Sequence, residues 1–213
     1  MNASSPTLYQ RILKAAYRFT YRVGTRRVLH GIPCSVIGGD SAATQRILSR
    51  LDAALELIEA YEPRRLRRLA ADTQRVLVVG KERLYGGTTL GSLGWCVFTV
   101  PFANDDRQTP EGLATAMVHE STHARIRACK GIRDAQWRTR EEVVCIKQER
   151  AFAGLLPDGG RFVDWADERL ARTAAEWAAV FSKQTDPEQL LRDNGAPRWL
   201  TRAIMRLRSR RAA

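Results

Sequence analysis

The stretch TPEGLATAMVHESTHARIRACKG, Thr109 to Gly131, decides how the chain is read. It opens as a helix should. Thr109 is a capping residue, Pro110 suits the first helical position, and Glu111 complements the positive end of the helix dipole. Leu113, Ala116 and Met117 form an apolar face, and Gly131 is a plausible stop. Inside the helix lies HESTH, His119 to His123. Residues four apart on a helix point the same way, so the two histidines project side by side and can hold one metal ion. Glu120 lies on the neighbouring edge of that face, where it can reach a water on the metal without ligating the ion. The chain has 3 histidines, and two of them are here.

Two imidazoles do not complete a zinc site, so a third protein ligand is required. After His123 the chain reads ARIRACKG, with no further histidine, and the remaining His30 lies far upstream in a basic segment. A carboxylate is therefore expected. The segment RTREEVVCIKQERAFAGLLP predicts a helix from about Arg138 to Leu156 and carries Glu141, Glu142 and Glu149. Glu142, Ile146, Glu149 and Ala153 share one face; Glu141, Cys145, Gln148 and Phe152 share another. Buried acids are costly unless paired or metal-bound, which singles out the acids on the apolar stripe.

The rest of the chain supplies the frame. Leu8 to Val23 has a helical apolar stripe on a basic helix. Gly38 and Gly39 break the chain, and Ser41 is the expected cap of a long amphipathic helix bearing Ile47, Leu48, Leu51, Leu55 and Ile58, which ends near Pro63. A basic segment, RRLRRLAADTQR, follows. Arg75 to Val79 reads as a strand, YGGTTLGSLG as a loop or bulged hairpin, and Trp95 to Val100 as a second strand stopped by Pro101. One helix is expected over Phe162 to Ser182. Trp199, Leu200, Ile204 and Leu207 recur at helical spacing among arginines in a basic tail.

Composition sets bounds. The 213 residues are 44% hydrophobic and 27% charged, enough for a buried core and against disorder along the whole chain. The formal net charge of +12 fits a nucleic acid, an anionic membrane surface, an acidic partner, or merely a solvated basic surface. The 4 cysteines form no CxxC pair, which excludes a cysteine-rich zinc knuckle and points to free thiols in a reducing compartment. No signal-peptide pattern or transmembrane run is evident, so a cytoplasmic location is expected.

The HESTH helix followed some twenty residues later by a glutamate helix resembles the gluzincin group of zinc metallopeptidases, of which thermolysin is the familiar member. The resemblance covers about Trp95 to Leu156. It implies one zinc ion held by His119, His123 and Glu142, with Glu120 as the base that activates a zinc-bound water for peptide-bond hydrolysis. Glu149 would support a histidine or serve as the alternative ligand. The strand upstream of the active helix would pair with an extended peptide, through Trp95, Val97 and Phe98. Arg138 and Arg140 are the candidates for an oxyanion donor.

The expected fold is α+β. It is mostly helical and zincin-like, with a small sheet of two or three strands packed on the HESTH helix and the glutamate helix. The expected division is a basic helical segment at 1–40, the metal-binding domain at 41–182 and a basic helical tail at 183–213. The expected partner is a peptide or protein substrate, with an anionic membrane surface or nucleic acid contacted through the tail. The competing reading is a catalytically inactive, zinc-stabilised domain that binds a partner through its basic face.

Overall fold

The computed structural model describes residues 8–80, 86–90, 94–130 and 135–183. The carboxy-terminal tail, including Trp199, Leu200, Ile204 and Leu207, and the expected stop at Gly131 lie outside these residues. Among the described residues no helix is long and apolar enough to cross a membrane.

The protein is α+β, and its sheet is larger than expected. Five strands are joined in the order β1-β2-β3-β5-β4, against the two or three expected from the sequence. The strands are β1 (Thr25–Leu29), β2 (Ile32–Ile37), β3 (Arg75–Val79), β4 (Gly87–Leu90) and β5 (Trp95–Thr99). β2, β3 and β5 run parallel, and an antiparallel strand closes each side. The overlooked pair β1–β2 is a hairpin turning through His30 (φ 48) and Gly31 (φ 79), both left-handed as a two-residue hairpin turn requires. β1 and β2 belong to the same sheet as β3 and β5.

Alternation along the central strands splits the core in two. Val76, Val78, Cys96 and Phe98 face α2 (Ser41–Tyr61) and α5 (Pro110–Lys130), packing with Ile47, Leu51, Leu55, Leu113 and Met117. Leu77, Val79, Trp95 and Val97 face the other way, under Tyr17 and Tyr21 of α1 (Leu8–Val23). The cap of α2 is Asp40, one residue before the expected Ser41: its side chain accepts the Ala43 N–H at 2.7 Å. The basic segment after Pro63 is itself a helix, α3 (Pro63–Asp72), anchored by Leu66 and Leu69.

A short helix α4 (Val100–Ala103) leads from β5 towards α5. The glutamate helix α6 spans Ala135–Ala153, so it starts and ends three residues before the expected limits. The stretch expected as one helix from Phe162 is two, α7 (Gly160–Leu170) and α8 (Ala174–Lys183). The break is a capping box: Thr173 Oγ1 accepts the Glu176 N–H at 3.3 Å, and Glu176 Oε2 accepts the Thr173 N–H at 2.6 Å. Three cysteines, Cys34, Cys96 and Cys145, are buried free thiols as expected, while Cys129 is free and exposed.

Candidate metal centre

α5 begins as its sequence requires. Thr109 caps it, with Oγ1 accepting the Gly112 N–H at 3.4 Å, and Pro110 and Glu111 occupy the first turn. Its first half disappears into the apolar core through Leu113, Ala114, Met117 and Val118. The middle of the helix is equally buried but polar: His119, Glu120, Ser121 and His123 are all below 9% exposed. Ser121 and Thr122, the inner letters of HESTH, donate their hydroxyls to Val118 O, at 3.1 and 2.7 Å. They are satisfied within the helix and leave the site to the histidines and acids.

α6 supplies the acids. Glu142 stands between the rings, 3.3 Å from His119 Nε2 and 3.2 Å from His123 Nε2. The opposite ring nitrogens are held by two further glutamates. His119 Nδ1 lies 2.8 Å from Glu149, and His123 Nδ1 lies 2.7 Å from Glu141. His119, His123 and Glu142 each offer a ligand atom within 4.8 Å of the others, so the trio could hold a metal ion. A carboxylate on each Nδ1 fixes the ring orientation and leaves Nε2 for the metal. Glu149, expected as support or alternative ligand, meets a histidine in the supporting position. Glu141 does the same for the second histidine.

Three residues unnoticed in the sequence complete the network. Arg169 of α7, itself buried, donates to Glu149 Oε2 at 2.9 Å and to Glu142 Oε1 at 3.0 Å. Arg127 donates from Nε to Glu141 at 3.0 Å and from Nη1 to the Thr89 carbonyl at 3.0 Å. Thr89 of β4 places its hydroxyl 2.6 Å from Glu120 Oε2 and 2.7 Å from the Glu120 carbonyl. A Cβ on Gly87 would stand 2.7 Å from the Phe98 ring, so a glycine is what lets β4 pass this close to the site. Arg169 did leave a trace in the sequence, since it falls three residues after Ala166 on the buried stripe of α7. Thr89 and Arg127 left none, because their partners are remote in the chain.

The electrostatics follow from this enclosure. Burial disfavours a charged His119, but hydrogen bonds to Glu142 and Glu149 outweigh it and raise the ring from its ordinary 6.5 to about 10. His123 is raised against the same burial cost by Glu141 and Glu142. Burial would lift Glu142, yet the two imidazoles hold it well below the usual carboxylate range. Glu141 is also held low, against its own desolvation, by His123 and Arg127. Burial, reinforced by the nearby Glu142, Glu120 and Glu141, pushes the Cys145 thiol far up.

The remaining expected residues fall elsewhere. Trp95, Val97 and Phe98 are at most 2% exposed, and β5 is paired on both edges, to β3 and to β4. An interior strand has no free backbone groups to offer a peptide. The strand at the sheet edge beside α5 is β4. Arg138 and Arg140 are exposed, with Arg140 over the Trp137 ring at 5.7 Å. His30 lies against Glu59 and Asp52. Compared with known proteins, the chain matches no family model, no curated protein and no solved structure.

Proposed function

We propose that the protein is a small zinc-dependent metallopeptidase that hydrolyses peptide bonds. One observation carries this reading: two histidines one helical turn apart both turn Nε2 to one carboxylate, while a separate carboxylate holds each Nδ1. His119, His123 and Glu142 would hold the ion, a donor set suited to zinc with a position left open. Zinc bound there supplies a Lewis acid and a water acidified towards neutrality.

The chain's own groups supply the rest. Glu149 and Glu141 orient the rings, and Arg169 balances the charge of Glu149 and Glu142. Glu120 is next to a ligand in sequence but outside the ligand trio. Thr89 pins its Oε2, which fixes the side chain and leaves Oε1 to take a proton from the attacking water and return it to the leaving amine. The edge strand β4, tied to α5 through Thr89 and Arg127, takes the place of β5 as the strand beside which an extended peptide would lie.

A second reading has its own support. Glu120 is only 7% exposed and already hydrogen-bonded, as it would be in a zinc-stabilised domain without hydrolytic activity. Cleavage of a mixed peptide library by wild type and Glu120→Gln, with zinc content measured on both, separates the two. A peptidase loses about 100- to 10,000-fold in rate in the variant while keeping its zinc. Wild type that holds zinc and cleaves nothing supports the second reading. Equal cleavage by both proteins removes Glu120 as the base.

A further inference from the structure

The side of the sheet away from the metal centre has a different character. Seven large hydrophobic side chains are exposed among the described residues, and three of them fall within ten positions: Phe19 (67%), Val23 (61%) and Val28 (70%). Single exposed apolar groups are ordinary, but a cluster calls for a partner. On α1 the buried Tyr17 and Tyr21 define the inner face, so Phe19 and Val23, one turn apart, lie on the opposite, outward face. Arg18 and Arg22 flank them and are exposed.

The edge strand β1 extends the same surface. Arg26 and Val28 pair with Ser35 and Pro33 across the ladder. Ser35 donates its hydroxyl to the Tyr21 carbonyl of α1, so that face of the strands is the one α1 covers. Arg27 points to the other face, where it donates to Gln45 of α2. Among the described residues Arg18, Arg22 and Arg26 have no carboxylate partner. The chain before Asp40 contains no aspartate or glutamate at all, against Arg11, Lys14, Arg18, Arg22, Arg26 and Arg27.

We infer that the α1–β1 face docks the protein on an anionic lipid bilayer, through Arg18, Arg22 and Arg26 at the headgroups and Phe19, Val23 and Val28 in the apolar boundary. The charge selects an anionic partner, and the mixture with apolar groups selects its kind. A phosphate backbone rewards the arginines but gives the two valines nothing to enter. A bilayer interface rewards both, because apolar side chains sink below a layer of anionic headgroups. The contrast within the molecule is α3, where Arg64, Arg67 and Arg68 are exposed but Leu66 and Leu69 point into the core. That face is basic without being apolar. This inference is independent of the metal centre.

The test is sedimentation of the full chain with vesicles of phosphatidylcholine, alone or mixed with phosphatidylserine. Wild type should bind the mixed vesicles and not the neutral ones. Each arginine near an anionic surface is worth roughly fivefold in partition, so Arg18→Gln with Arg22→Gln and Arg26→Gln should cost on the order of a hundredfold. Phe19→Ser with Val23→Ser and Val28→Ser should cost roughly tenfold or more. Arg64→Gln with Arg67→Gln and Arg68→Gln, which removes the same charge from α3, should stay within about twofold of wild type, since the screened field of a distant face contributes little. All the substituted side chains are exposed, so the variants should fold, and circular dichroism confirms it. No binding to the mixed vesicles overturns the inference. So does an equal loss in the α3 variant, which would mean net charge alone is at work. Undiminished binding by the Ser variant, competed away by RNA, would instead make the face a nucleic-acid surface.

Discussion

His30 and His119 have nearly the same contacts. His30 sits 2.7 Å from Glu59 through Nδ1 and 3.5 Å from Asp52 through Nε2; His119 sits 2.8 Å from Glu149 and 3.3 Å from Glu142 through the same two atoms. What separates them is the surroundings. The acids beside His30 are more than half exposed, so water screens the attraction. Glu149 has a side chain only 2% exposed, a second imidazole stands 4.9 Å away ring to ring, and Arg169 closes the cluster from behind. A histidine between two carboxylates is a surface contact in one place and a candidate metal centre in the other. Enclosure, a second ring and a cation make the difference.

The most direct way to break that contrast is to remove the same group from each side. Glu149→Gln should lower zinc affinity about 10- to 100-fold, the usual cost of losing a carboxylate behind a ligating histidine. Glu59→Gln should leave it unchanged. Chelator competition measures both, and equal effects would dissolve the distinction.

A smaller effect separates the metal-free and metal-loaded states. In the metal-free protein His119 titrates above its ordinary value, so the stabilisation it brings is complete below about pH 6.5 and is lost as pH rises through about 10. His123, also raised, adds in the same direction. The melting temperature after chelation should fall across that range. Zinc-loaded protein, whose rings are already deprotonated, should lack this loss. A metal-free protein that gains stability from pH 6.5 to 10 would contradict the ion pairing at the site.

The smallest effect belongs to His30. His30→Asn keeps a residue that tolerates the left-handed turn while deleting both carboxylate contacts of the ring. Urea denaturation should place the variant within about 1 kcal/mol of wild type. A much larger loss would mean that exposed pairs here behave like buried ones.

The candidate metal centre is the most legible part because its signals are local. Thr109, Pro110 and the four-residue spacing of HESTH announce α5 and bring His119 and His123 together without any knowledge of the fold. Glu142 needed one further step, the pairing of two consecutive helices. The hairpin β1–β2 is not legible in the sequence, because an edge strand with four of five side chains exposed shows no alternation. Its two-residue turn, His30-Gly31, was the available clue. The break between α7 and α8 was written in Thr173 and Glu176, three residues apart, and was overlooked because the apolar spacing runs on through it. Thr89, Arg127 and the edge position of β4 follow from strand order, which residues far apart decide together.

His119, His123 and Glu142 are proposed to hold zinc. X-ray absorption at the zinc edge, on protein purified without chelator and quantified for metal, tests it most directly. The expected result is about one zinc per chain, with nitrogen and oxygen ligands at roughly 2.0–2.2 Å and no sulfur at about 2.3 Å. A metal-free protein that zinc does not reconstitute, or a sulfur shell implicating Cys145, would contradict it.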